Sequence, residues 1–205
     1  MLADKNLKEF LDETASNAPV PGGGSIAALS GAVGAALTEM VANLTIGKKK
    51  YIDVEEIMKE VAQKSKEYRD DFIKDIDEDA DSFHEVMKAF KLPKETDEEK
   101  QKRNEAIEEN TKKAAQVPLK VAQNAYQMMQ VIESVIDQGN KNAITDGAVA
   151  AMMARTAVLS ALYNVKINLG GINDQAFVEK LSKEVKEIEE KTIQKEKELL
   201  AKVVL

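Results

Sequence analysis

The sequence predicts an all-α protein, a bundle of long antiparallel helices folded as a single domain over residues 1–205. Three observations lead there. Apolar residues recur at three- and four-residue spacings over long stretches, as in Val54, Met58, Val61, Tyr68, Phe72 and Ile76, which places them on one face of a helix. No stretch alternates with the two-residue period of a strand. Charged residues make up 32% of the chain and aromatic ones only 4%, with four prolines in 205 residues, a composition suited to helices with exposed charged faces.

Taken in order, Leu2, Leu7, Phe10 and Leu11 are spaced for a short amphipathic helix that ends near Ser16 and Asn17. The segment Pro19-Val20-Pro21-Gly22-Gly23-Gly24-Ser25 breaks the pattern. Two prolines fix an extended approach, three glycines admit close contacts, and Ser25 is placed to cap the next helix. Its amides either form an anion site or belong to an ordinary glycine-rich loop.

Ile26 to Ile46 is nearly all small or apolar, with Gly31, Gly34, Ala35 and Thr38 spaced to admit another helix backbone, so this is the expected central buried helix. Its length approaches a membrane span, but Glu39 and Asn43 interrupt it and no second such segment is read, which assigns it to a soluble core. Glu39 is either a second buried functional acid or a residue reaching the helix edge or a partner chain. Gly47 ends the helix. Lys48, Lys49 and Lys50, before Tyr51, either complement the helix C-terminus or hold an anionic ligand.

A long helix is expected from Val54 to Phe90, stopping before Pro93. Its apolar stripe resumes at Phe83, Val86 and Phe90, and the gap is filled by Asp79, three residues after Ile76 and four before Phe83. A charge on such a stripe must be paired, neutralised or put to use. Asp79 therefore either salt-bridges a neighbour or caps a helix broken at this point, or else does chemistry, whereas Asp75, Asp77, Glu78 and Asp81 read as a solvated face. His84 reads as a surface residue.

Thr96-Asp97-Glu98-Glu99 has the form of a capping box opening the next helix, which Pro118 is expected to kink or interrupt and Gly139 to stop. Another helix runs from Ala143 to Leu169. One side carries Ala148, Ala151, Met152 and Leu162, and a neighbouring line carries Asp146, Ser160, Asn164 and Asn168. That polar line is either the hydrogen-bonding wall of a pocket or part of a helix interface. Gly170 and Gly171 break the helix, and Asn173 or Asp174 caps a charged final one.

The composition also excludes. Without cysteine there are no disulfides and no cysteine-ligated zinc, which suits a reducing cytoplasm. One histidine rules out a multi-histidine metal site within one chain. A net charge of -7 argues against general binding to nucleic acid or anionic membrane. Asp4, Lys5, Lys8 and Glu9 interrupt any apolar leader, so no signal peptide is expected.

Several of these segments, in this order, carry a family resemblance. They are Pro19 to Ser25, Asn43-Leu44-Thr45-Ile46-Gly47-Lys48-Lys49-Lys50-Tyr51, Asp77-Glu78-Asp79-Ala80-Asp81-Ser82-Phe83 with Leu92-Pro93-Lys94, Val117-Pro118-Leu119, Gly139-Asn140 with Asp146, and Asn164 to Leu169. Together the chain resembles the cyclodeaminase/cyclohydrolase family, which includes the C-terminal domain of formimidoyltransferase-cyclodeaminase and stand-alone methenyltetrahydrofolate cyclohydrolases. The resemblance runs almost end to end and implies an all-helical homodimer acting on a folate.

It also implies that Asp79 is the catalytic acid and base, with a pKa raised by an apolar setting. The substrate would be a tetrahydrofolate derivative, with no tightly bound cofactor and no metal. The polyanionic glutamyl tail of a folate gives Lys48, Lys49 and Lys50, and the amides of Gly22, Gly23, Gly24 and Ser25, a task. Asp146, Asn164 and Asn168 would hydrogen-bond the pterin. The two family activities share 5,10-methenyltetrahydrofolate as product or substrate, and the sequence does not separate them. The contrasting expectation is a catalytically inactive scaffold that keeps the fold for dimerisation or partner binding.

Overall fold

Six α-helices carry most of the chain in the computed structural model, which describes residues 1–204. They are α1 (Leu7–Thr14), α2 (Gly23–Asn43), α3 (Glu55–Phe90), α4 (Asp97–Gln138), α5 (Ile144–Leu169) and α6 (Gln175–Ala201), and no strand occurs among the described residues. In the expected all-α bundle, α2 packs between α3 and α5, α4 completes a four-helix ring against the same two, and α6 lies outside along α5 and α4. Phe10 of α1 enters the core, and the backbone amide of Leu2 donates to Asp77 Oδ1 at 2.6 Å, tying the N-terminus to α3.

Small residues let α2 sit at the centre. A Cβ placed on Gly31 would lie 3.0 Å from the ring of Phe72 in α3, and one on Gly34 would lie 3.2 Å from the Ala150 carbonyl of α5. Backbone and ring thus fill the space a side chain would take, and Phe72, Ala35 and Ala154 are fully buried there. Polar groups close the ends. Thr96 Oγ1 accepts from the Glu99 amide while Glu99 accepts from the Thr96 amide, the reciprocal box that the sequence predicts. Asp174 caps α6 by accepting from the Phe177 amide. At the far end, Gly47 turns the chain at φ +74°.

Several expectations need correction. Ser25 does not cap α2: the helix begins two residues earlier, with Gly22 at the cap position, and Ser25 is wholly buried against α3. The helix ends at Asn43, because the Thr45 hydroxyl accepts from the Asn140 amide at 2.8 Å and holds residues beyond the last turn against the α4–α5 connection. Pro118 lies inside an unbroken α4. Both α2 and α5 are long and apolar enough to cross a membrane, so α2 is not alone in this; the apolar stretch of α2 is mostly buried within the bundle and that of α5 half so. Met152, read on one face with Ala148, Ala151 and Leu162, is exposed, whereas those three are buried.

Two of the acids read as solvated are engaged instead. Asp75 is fully buried and accepts from Lys120 Nζ at 2.7 Å, because one turn before Asp79 it points to the same interior side, where α4 covers it. Asp77 takes the Leu2 amide. Glu39 reaches the helix edge, 3.0 Å from Arg69 Nη1 of α3.

Phe72 is the largest wholly buried side chain and closes the α2–α3 seam. Phe72→Ala should cost about 3–5 kcal/mol, read as a lower urea midpoint at unchanged slope. A loss under about 1 kcal/mol would show that the seam relaxes around the missing ring.

Candidate active site

The first turn of α2 meets α3 at Asp79. A Cβ on Gly24 would overlap the Asp79 carboxylate, so this close approach requires glycine. Ser25 Oγ donates to Asp79 Oδ2 at 3.0 Å and also lies 3.1 Å from the Ile76 carbonyl, so its single proton is divided between two acceptors. The Ser25 backbone amide also faces the carboxylate and favours its charged form. Asp79 thereby supplies from α3 the acceptor that a capping residue normally supplies within the helix, at the positive end of the α2 dipole. α3 runs unbroken through Asp79, so there is no broken helix there for it to cap, and among the described residues it makes no salt bridge; the helix end it faces is that of α2.

The rest of the side chain faces a cavity of about 360 Å³, within the range that holds a small ligand. Asp79 is therefore half-buried rather than sealed. The glycine-rich turn forms one wall with Pro19, Val20, Gly22, Gly23 and Gly24. A second wall is the end of α3, with Ser82, Phe83, Val86, Met87 and Phe90. The third is α5, with Asn164, Ile167 and Asn168, joined by Ala114 of α4.

The apolar wall escaped the sequence reading, which took Phe83, Val86 and Phe90 for core. A signal was available in the helix lengths. The 21 residues of α2 begin beside Asp79, while α3 runs 36 residues and continues 11 beyond it to Phe90. That part of the stripe has no length of α2 left to pack on.

Asn164 donates its amide to the Ser160 carbonyl at 2.9 Å, lies against Gly23 and lines the cavity. Asn168 is placed by Pro118. A proline has no N–H to give the carbonyl four residues back, so the Ala114 oxygen is free to accept from Asn168 Nδ2, which it does at 2.9 Å. Both asparagine carbonyl oxygens remain available as acceptors beside Asp79, whose carboxylate makes the only full charge among the cavity-lining side chains.

The remaining expected site residues lie elsewhere. Lys48, Lys49 and Lys50 are exposed beyond the other end of α2, about 30 Å away along a 21-residue helix. Asp146 lies in the first turn of α5, about 27 Å from Asn164 on the same rise. There the Lys141 amide donates to the Tyr51 hydroxyl and Asn140 Nδ2 donates to the Leu44 carbonyl. The single site expected from the sequence is thus two clusters in one chain, because antiparallel helices carry their two ends to opposite ends of the bundle. Among the described residues no three His, Cys, Asp or Glu side chains gather to hold a metal.

A sequence model of the family described as formiminotransferase-cyclodeaminase matches residues 6–187. The chain is 45% identical over 185 residues to the methenyltetrahydrofolate cyclohydrolase of Methylorubrum extorquens, a match that covers 90% of this chain and 89% of that protein. It is 35% identical over 179 residues to the formimidoyltransferase-cyclodeaminase of Rattus norvegicus, covering 87% of this chain and 33% of that longer protein. Among solved structures, the formiminotetrahydrofolate cyclodeaminase of Thermotoga maritima superposes with a TM-score of 0.89 at 30% identity, over 99% of this chain and 98% of that one.

Opposed forces set the protonation of Asp79. Burial pushes its carboxyl above the ordinary range, and the Ser25 hydroxyl and amide pull it back without cancelling the rise. Asp75 is raised in the same way, with Lys120 opposing. A carboxyl whose folded pKa exceeds its unfolded one binds its proton more tightly when folded, so both acids cost stability as pH rises from the ordinary carboxylate value through the raised one. Ser25→Ala removes one of the two donors and should move the Asp79 titration further up, measured by carbon-13 NMR of its carboxyl. A downward or absent shift would show that the hydroxyl does not hold the charged form.

Proposed function

Because the chain belongs to the formiminotransferase-cyclodeaminase family, we propose that it is a folate one-carbon enzyme acting at the carbon that bridges N5 and N10 of tetrahydrofolate, with Asp79 as the proton-transfer group. The observation that carries this reading is a single carboxyl with a raised pKa, held by Ser25 at the wall of a cavity otherwise lined by apolar and neutral polar groups.

Cyclohydrolase chemistry is the first reading, because the relative at 45% identity matches over nearly the whole of both chains. A water adds to the cationic bridging carbon while the Asp79 carboxylate takes one of its protons. As the carbon–N5 bond breaks, Asp79 returns that proton to N5, and the new hydroxyl releases its own on becoming the formyl carbonyl. One water is consumed and one proton released. The carboxylate also stabilises the positive charge of the bridge, to greatest effect where water is excluded.

Cyclodeaminase chemistry is the second, supported by the likeness over full length to the Thermotoga structure. Here N10 attacks the carbon of the protonated formimino group on N5, Asp79 takes the proton that N10 sheds and passes it to the departing nitrogen, and ammonia leaves as the cationic methenyl bridge forms. Both routes need a carboxyl that can hold or release a proton, which its raised pKa serves.

In this reading the flat pterin enters between Phe83 and the glycine-rich turn, with the carbonyl oxygens of Asn164 and Asn168 accepting from its N–H groups. The folate is substrate rather than resident cofactor, and the protein works as a homodimer in the cytoplasm. The lysines at residues 48 to 50 are assigned to a glutamyl tail.

Purified protein should consume 5,10-methenyltetrahydrofolate, followed by loss of the methenyl absorbance, if it is a cyclohydrolase. It should generate that absorbance and ammonia from 5-formiminotetrahydrofolate if it is a cyclodeaminase. Silence on both substrates would leave a scaffold and overturn the reading. Asp79→Asn should lower turnover about 10²- to 10⁴-fold with the helical circular dichroism intact, and unchanged turnover would remove Asp79 from the chemistry.

A further inference from the structure

The chain has three arginines, and two of them pair with carboxylates: Arg69 lies 3.0 Å from Glu39, and Arg155 lies 2.9 Å from Glu196. Arg103 pairs with none among the described residues. The acid placed to pair with it, Glu99 one turn earlier on α4, is already occupied. That carboxylate accepts the amides of Glu95 and Thr96 in the box that opens the helix.

Arg103 is nonetheless held in place. Its Nε donates to the Phe90 carbonyl at 3.2 Å, and its guanidinium carbon stands 5.5 Å from the centre of the Phe90 ring. A guanidinium has five N–H groups, one on Nε and four on the two Nη atoms. None of those four finds an acceptor among the described residues, although the side chain is half-buried.

Phe90 is part of the wall of the Asp79 cavity, so Arg103 stands at the rim of that wall. Helical spacing brings it to the same side. Arg103 precedes Ala114, the cavity residue of α4, by about three whole turns, with Ile107 on the line between them. On α3, Phe90 follows Asp79 by the same interval. The two helices run on together beyond the start of α2, and the trough between them has a carboxyl at one end and an unpaired guanidinium at the other. Val86, Met87 and Phe90 line it between.

We infer that Arg103 reads the acidic end of the substrate, its Nη fork receiving the α-carboxylate of the first glutamyl residue while the aminobenzoyl ring lies on Val86, Met87 and Phe90. This rests on the folate reading above and adds to it the residue that selects a glutamylated substrate. The lengths agree. At about 3.5 Å per extended residue, an aminobenzoyl unit, about two residues long, and one glutamyl residue carry the α-carboxylate about 10 Å beyond the bridging carbon. A contact of about 3 Å at each end accounts for the rest of the ~16 Å between Asp79 and Phe90. Lys48, Lys49 and Lys50 of the same chain are about 30 Å from the cavity, so the carboxylate nearest the ring needs a closer cation.

The chemistry fits a fork rather than a point charge. A guanidinium binds a carboxylate through two parallel N–H groups, and Arg103 has those groups free because Nε alone carries the contact to the protein. Complementing the α3 C-terminus does not call for it, since Lys88 and Lys91 already stand at that end.

A cycle between protein and substrate tests the assignment. The two substrates are 5,10-methenyltetrahydrofolate and the same compound truncated to a methylamide after the benzoyl group, which has no carboxylate. Wild-type kcat/KM should favour the first about tenfold or more, as a charge-assisted contact requires. Arg103→Ala should abolish that preference by lowering kcat/KM on the full substrate and leaving the methylamide unchanged. Arg103→Gln keeps an amide for the Phe90 carbonyl and removes the charge, and should behave alike with its helical circular dichroism intact. An equal loss on both substrates would make Arg103 a support of the wall alone and overturn the inference. So would a variant that keeps the preference, or a wild type without one.

Calorimetric binding of tetrahydrofolate and of its methylamide repeats the comparison without turnover. A wild type that turns over neither folate yet binds tetrahydrofolate about tenfold more tightly than the methylamide, a difference lost in Arg103→Gln, would strike the functional reading and leave this inference standing. Turnover without an Arg103-dependent preference would strike this inference alone, and failure to bind tetrahydrofolate would overturn both.

Discussion

The seat of the Asp79 carboxylate against the first turn of α2 constrains more of this molecule than any other contact. It requires glycine at position 24, because any side chain there would displace the carboxylate. It requires Ser25 inside the seam, where its hydroxyl satisfies both Asp79 and the Ile76 carbonyl. It also substitutes for a local cap, since Gly22 offers no side chain to the free amides of α2. The start of the central helix and the charge of the site are thereby one problem with one solution. A carboxylate buried without donors would be costly, and a helix end buried without an acceptor equally so; here each meets the need of the other.

The cavity follows from helix lengths rather than from a special motif. Two long helices, α3 of 36 and α4 of 42 residues, outrun α2 of 21 and α5 of 26. Where α2 starts, the apolar stripe of α3 loses its partner, and Phe83, Val86 and Phe90 become walls instead of core. Pro118 contributes in a similar indirect way. Lacking an N–H, it leaves the Ala114 carbonyl unclaimed within α4, and Asn168 fills that vacancy across the helix interface. Nothing in α4 itself would reveal that a proline buried in one helix orients an asparagine on another.

The helices were legible because periodicity reports which side of a helix is apolar. So was Asp79, whose place on that side is a fact of spacing alone. Periodicity does not report what faces that side. Asp75 and Asp79 share an interior direction, yet only the presence of α4 and Lys120 reveals that Asp75 is buried and paired. Ser25 has the composition of a cap, and only the proximity of α3 explains why its hydroxyl points inward instead. The family resemblance brought Lys48 to Lys50 and Asp146 into one list with Asp79, Asn164 and Asn168, but order along a chain carries no information about which end of an antiparallel bundle a residue occupies. The second site cluster is invisible until the ends are placed.

These placements bear on why one scaffold suits two reactions. Addition of water to the bridging carbon and attack by N10 on a formimino carbon differ in the nucleophile, while both need a proton taken and given back at the same carbon. Burial and the Ser25 side chain pull the Asp79 carboxyl in opposite directions, and burial prevails; in the role proposed for it above, Asp79 serves both reactions alike. The difference between the two lies in whether a water has room beside the bridge. That room is set by Phe83, Phe90 and Ile167, which lack polar groups to anchor a water, and by the asparagine carbonyls, which have them. On the proposed assignment, discrimination between hydrolysis and cyclisation belongs to the cavity walls rather than to Asp79.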